Sequence, residues 1–149
     1  LIVIHAISLP VGCYNTKLIK DLFLNCLDSG KDEFLESIKD LKVSSHFLIT
    51  RKGALIQFVP TYKRAWHAGI SEYKGRKNCN DFSIGIELEG CDEEEFEKPQ
   101  YYSLSRLINF LSIDLQINKQ NIVSHADIAP GRKTDPGPYF DWSLLQSML

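Results

Sequence analysis

Apolar positions along this chain fall into short blocks whose spacing changes from continuous, to helical, to alternating. Residues 1–5 (Leu-Ile-Val-Ile-His) are apolar on both faces, as a strand buried inside a sheet would be. Pro10 and Gly12 break that run. Over residues 17–27, Leu18, Ile19, Leu22, Phe23 and Cys26 recur at helical spacing, with Thr16 as candidate cap. A shorter helix is expected over 32–38, on Phe34, Leu35 and Ile38. The apolar runs 46–50 and 54–59 flank Arg51-Lys52-Gly53 and read as a β-hairpin with glycine at the turn. Residues 60–81 are a long, polar, aromatic-dotted loop, a length that in a compact domain is usually functional. Residues 82–88 alternate, with Ile84, Ile86 and Leu88 on one face and Ser83, Gly85, Glu87 and Glu89 on the other. After an acidic segment, 92–97, Pro99 opens a long helix with Leu104, Leu107, Ile108, Leu111 and Leu115 in one stripe. A strand over 121–125 and a short helix over 141–148 complete the order. Strands interleaved with helices predict an α/β (or α+β) domain, a central mixed β-sheet flanked by helices.

Composition narrows the function classes. The 149 residues suit one domain, 1–149, with 44% apolar and 24% charged residues, ordinary globular proportions. A net charge of -2 gives no basic field for nucleic acid, and neither a basic run nor a long apolar stretch suggests a membrane. Cys13, Cys26, Cys79 and Cys91 are scattered, form no CxxC pair, and read as reduced thiols of a cytoplasmic protein. Residues 1–4 lack the basic flank and cleavage site of a signal peptide, although the chain does not open with methionine.

The candidate chemistry sits at the strand ends. His5 and His125 each close an apolar run, and the Pro/Gly-rich loop after His125 delivers Lys133 and Asp135. Two imidazoles and one carboxylate suit zinc, with a fourth position left for water. On spacing alone this competes evenly with histidines packed in a core. A hydrolytic site also needs a group to take a proton from water and one to stabilise an oxyanion. Glu87, a carboxylate within an apolar strand, suits the first role, unless it faces solvent beside Glu89. Lys133 suits the second, unless it is a solvated loop cation. His46 reads as a supporting residue, since a fourth protein ligand would close the water position.

Several blocks in register carry a resemblance: His5, Ser44-Ser45-His46, Arg64-Ala65-Trp66-His67-Ala68-Gly69, residues 80–90 (Asn-Asp-Phe-Ser-Ile-Gly-Ile-Glu-Leu-Glu-Gly) and residues 125–138. Together they resemble the zinc N-acetylmuramoyl-L-alanine amidases, a family with relatives among phage lysozyme-type amidases and peptidoglycan recognition proteins. Blocks 64–69 and 127–138 are most similar to its branch acting on 1,6-anhydro-N-acetylmuramoyl-L-alanine in cell-wall recycling. The resemblance implies one catalytic Zn2+ on His5, His125 and Asp135, with Glu87 as general base and Lys133 at the oxyanion. It implies hydrolysis of the amide between the lactyl group of muramic acid and L-Ala, by a monomer in a Gram-negative cytoplasm. Trp66, His67, Asn80 and Arg64 would then contact a small muropeptide, and Arg132 would add positive charge. Two departures from the wider family stand out. Ser45 replaces a tyrosine before His46, which gives Glu87 more weight, and Asp135 replaces a cysteine ligand. A carboxylate donates less charge than a thiolate and leaves the metal more electrophilic. A non-catalytic muropeptide-binding module and an envelope murein amidase are the alternative functions.

Overall fold

In the computed structural model, which describes residues 1–149, the opening apolar block forms strand β1 (Ile2–Ile7) inside a five-stranded sheet. The expected hairpin supplies β2 (Phe47–Ile49) and β3 (Leu55–Gln57). A separate two-stranded ribbon, β4 (Glu72–Tyr73) and β5 (Arg76–Lys77), rises from the long loop. The remaining sheet strands are β6 (Ile84–Glu89) and β7 (Ile122–Ser124), and the order across the sheet is β3-β2-β6-β1-β7. β1 pairs parallel with both β6 and β7, β2 pairs parallel with β6, and β3 alone runs antiparallel. The mixed sheet expected from the sequence is the one observed.

Alternation decides which side chains reach which face. Ile2 and Ile4 of β1 and Ile84, Ile86 and Leu88 of β6 join one core with α3 (Lys98–Asp114) and α5 (Trp142–Met148). From those helices come Leu104, Leu107, Ile108, Leu111 and Leu145. On the other face Leu48 packs with α1 (Thr16–Phe23) and α2 (Glu33–Ile38), while Val3 packs with Ala68, Cys79 and Ile128. His5, Gly85 and Glu87 belong to that second face. All six residues of β6 are buried, so its polar positions face protein and not solvent.

Local chemistry explains where boundaries depart from expectation. α1 stops at Phe23 because Asn25 turns left-handed (φ 58°), and the Cys26 and Asn25 amides bond back to Asp21 and Leu22. Its cap is Asn15, whose side chain accepts from the Lys17 and Leu18 amides, and not Thr16. Lys74 and Gly75, both at positive φ, close the ribbon that the loop reading missed. His125 is not the last residue of a strand. Ser124 caps a four-residue helix, α4 (His125–Ile128): its hydroxyl accepts from the Asp127 amide, and Asp127 accepts from the Ser124 amide. All four cysteines are free, and no helix is long and apolar enough to cross a membrane.

Candidate active site and metal centre

β1 lies between β6 and β7, so β-pairing brings distant residues together. His5 is the register partner of Glu87, and Ser124, just before His125, is that of Ile4. Two residues after Lys133, Asp135 folds back over the same place. Its backbone carbonyl accepts from the Ala126 amide at 3.1 Å, which ties the loop to α4. His5 Nδ1, His125 Nδ1 and Asp135 Oδ2 then form a triangle with sides of 2.9, 3.1 and 3.1 Å.

The protons behind these rings decide what the triangle can hold. The Ser83 hydroxyl donates to the Cys79 carbonyl (2.6 Å), so its oxygen accepts from His67 Nε2 (3.2 Å). His67 Nδ1 is then bare and accepts from His5 Nε2 (2.9 Å), which leaves His5 Nδ1 as a lone pair. His125 Nε2 donates to the Ala68 carbonyl (3.1 Å), so its Nδ1 is also a lone pair. Three acceptor atoms thus converge with no donor of their own, an arrangement that a cation satisfies. Their separations approach the edge of about 3.3 Å in a tetrahedron with zinc bonds of about 2.0–2.1 Å. The donor set fits zinc, as it fits few other uses of two buried imidazoles.

Burial shapes the electrostatics. Desolvation lowers the His5 pKa to about 4, against an opposing pull from Asp135, so the ring stays neutral and able to ligate. For Asp135, burial raises the carboxyl, but the adjoining His125 and His5 rings outweigh it and hold the group far below its ordinary range. Glu87 is pushed well above the ordinary carboxylate range, first by burial and then by the Asp135 charge, with Lys133 pulling the other way. Lys133 is exposed on the loop before Asp135, and its charge reaches both His5 and Glu87.

The remaining singled-out residues separate by position. Both ring nitrogens of His67 are engaged by His5 and Ser83, so this buried side chain sits behind the His5, His125 and Asp135 triangle with none to offer a substrate. Asn80 is buried too, its side-chain oxygen accepting from the His67 and Ala68 amides. Trp66 is 53% exposed with the Arg64 guanidinium stacked on it at 3.7 Å, and Arg64 pairs with Asp81 at 2.7 Å. Arg64 and Asn80 line a depression with Leu1, Phe82 and Ile117, where β1 and β6 begin. His46 braces the strands: its Nδ1 accepts from the Gly85 amide and its Nε2 donates to the Lys63 carbonyl. Ser45 donates to the Gly85 carbonyl. Arg132 donates to the carbonyls of Ala68 (2.6 Å) and Ile70 (2.7 Å), clamping the loop that carries His67. Sequence reasoning missed the supporting parts played by His67, Ser83 and Arg132, because nothing in their spacing announces a hydrogen-bond partner across the fold.

Fold and site together define an amidase class. The model of the N-acetylmuramoyl-L-alanine amidase family (Amidase_2) matches residues 1–138, and the chain belongs to that family. Its relatives include the 1,6-anhydro-N-acetylmuramyl-L-alanine amidases AmpD of Citrobacter freundii, 46% identical, and of Escherichia coli K12, 48% identical. Each alignment covers all of this chain, and 80% and 81% of those relatives respectively. A crystal structure of a selenomethionine AmpD derivative superposes with a TM-score of 0.97 at 46% identity, covering 100% of this chain and 83% of that one. AmiD of E. coli, solved with anhydro-N-acetylmuramic acid-L-Ala-D-gamma-Glu-L-Lys, superposes at 0.75 with 34% identity, covering 99% of this chain and 56% of that one.

Proposed function

We propose that this chain hydrolyses the amide between the lactyl group of 1,6-anhydro-N-acetylmuramic acid and the L-Ala of its stem peptide, in peptidoglycan recycling. One zinc ion would be held by His5, His125 and Asp135. The convergence of three bare acceptor atoms beside the buried carboxylate of Glu87 is the observation that carries the reading. The activity of the AmpD relatives and the muropeptide bound in AmiD support the substrate.

When bound, zinc supplies a Lewis acid and lowers the pKa of a water toward about 7. Glu87, its basicity raised by burial, would take a proton from water and return it to the leaving alanine nitrogen. Lys133, exposed on the adjoining loop, supplies a cation for the developing oxyanion. The two imidazoles stay fixed throughout, because each is bonded on the side away from the triangle, and the Asp135 backbone is tied to the Ala126 amide. The unpaired cysteines support a reducing compartment, the cytoplasm.

The test is zinc content together with cleavage of 1,6-anhydro-N-acetylmuramoyl-tripeptide beside intact murein. One zinc per chain, with tripeptide released from the small substrate and both lost in Asp135→Ala, supports the reading. Cleavage of murein alone would move the enzyme to the envelope, and muropeptide binding without zinc or cleavage would make it a recognition module.

A further inference from the structure

A histidine that ligates a metal usually fixes its other ring nitrogen on a carboxylate, a backbone carbonyl or water. His5 does not. Its Nε2 meets a second imidazole, His67 Nδ1, at 2.9 Å, with the rings edge-on at 82°. An imidazole in that position has a choice that a carbonyl lacks. With its proton on Nε2 it accepts from His5 and leaves His5 Nδ1 free for metal. With its proton on Nδ1 it would donate to His5 Nε2 and force the His5 proton onto Nδ1, where it blocks the metal.

The choice is made one step further out. Ser83 Oγ lies 2.6 Å from the Cys79 carbonyl, which can only accept, so the hydroxyl must donate there. That leaves an oxygen lone pair facing His67 Nε2 at 3.2 Å and draws the ring proton to Nε2. The ring packs on Gly85, where an added Cβ would come within 2.4 Å of His67 Cγ, and Asn80 accepts from the His67 backbone amide. The relay is buried along its length: His5, His67 and Ser83 are 1%, 9% and 6% exposed.

From this we infer that His67 is a positioning residue for metal binding: the chain Cys79 carbonyl, Ser83, His67 sets the tautomer of His5 and so presents Nδ1 to the ion. The inference rests on the zinc reading above and adds a requirement to it. His67 must accept at Nδ1, and its aromatic bulk is secondary. Asparagine, whose side-chain oxygen falls near the position of Nδ1, keeps that acceptor, whereas leucine fills the space without it.

Two measurements on the full chain test this. The first reads ring protonation by proton–nitrogen correlation NMR of the zinc-loaded wild type. His67 and His5 are both expected to carry the proton on Nε2, and a proton on His67 Nδ1 would overturn the inference. The second is the zinc Kd by chelator competition. His67→Leu should weaken zinc by about 10–100-fold, the scale seen when partners behind metal ligands are removed. Ser83→Ala should weaken it less, and His67→Asn should restore most of the loss. Equal losses in the leucine and asparagine variants would reduce His67 to packing and refute the relay. Zinc binding abolished in His5→Ala but unchanged in His67→Leu would refute the relay alone. Zinc binding indifferent to His5 would refute the zinc reading itself, and the relay with it.

Discussion

Gly85→Ala adds one carbon at the most crowded point of the site, and its cost follows from the distances. The new Cβ would stand 2.4 Å from His67 Cγ, 2.6 Å from Nδ1 and 2.7 Å from Cδ2, well inside van der Waals contact. All three atoms belong to a ring held at both nitrogens, with Ser83 on one side and His5 on the other. The glycine is not in a left-handed conformation, so alanine brings no backbone strain and the clash is purely steric. Overpacking of a close-packed site costs about 1–3 kcal/mol. Tearing His67 from a buried partner adds about 1–3 kcal/mol. A stiffer unfolded chain gives back about 0.4–1 kcal/mol. The balance centres near 3 kcal/mol of destabilisation, or roughly 6–12 °C in Tm for a chain of this size. Urea unfolding of the metal-free protein, wild type against variant, reads it directly. A variant within about 0.5 kcal/mol of wild type would mean that the ring moves aside freely, and the picture of a clamped His67 would be wrong.

Other perturbations separate the roles further. Glu87→Gln should lower turnover by about 10²–10⁴-fold while zinc content stays at the wild-type level; Asp135→Ala should lose the metal as well, and metal analysis beside a hydrolysis assay distinguishes the two. The metal-free protein should lose stability in acid. His5 titrates near 4 when folded and near 6.5 when unfolded, so the unfolded chain binds the extra proton between those values. Stability is therefore full above about pH 6.5 and falls toward pH 4, by up to about 3 kcal/mol for His5, with His46 and His67 shifted in the same direction. Denaturation midpoints that stay flat across that window would contradict the buried, neutral rings. Ser112 on α3 holds a buried hydroxyl without a partner, so Ser112→Ala should raise stability by about 0.5–1 kcal/mol, measured by thermal unfolding.

What could be read from the sequence depended on how local its cause was. The period-two pattern of residues 84–88 placed Glu87 on the face opposite Ile84 and Ile86, which is where it meets His5. The continuous apolar run of β1 correctly announced a strand covered on both sides. The same pattern left open whether Glu87 faces solvent beside Glu89, because a strand's polar face is wet only if nothing covers it, and here all of β6 is buried. His125 looked like a strand end because the Ser124 cap that starts α4 is indistinguishable in sequence from a strand terminus. The ribbon of β4 and β5 rests on two residues a side, too few to show a period, and only Lys74-Gly75 hinted at its turn. The clamp of Arg132 on the carbonyls of Ala68 and Ile70 spans more than sixty positions, beyond any local signal.

The cluster also spans almost the whole chain: His5 and Asp135 are separated by 130 positions, and His5 and His125 by 120. During synthesis at about 5–20 residues per second, His5 emerges roughly 6–26 s before its carboxylate partner exists. Until then the three-ligand set is incomplete, with first His5 alone and then, for the last ten residues, His5 and His125. Capture by the full set waits until Asp135 has been made and β1 has found both of its parallel neighbours. From that moment an ion held there would act as a clasp joining β1 to the loop after α4, its binding energy spread over the whole sheet. Loss of the ion would accordingly be felt as loosening at both β1 and the Asp135 loop, far more than as a local change in one loop.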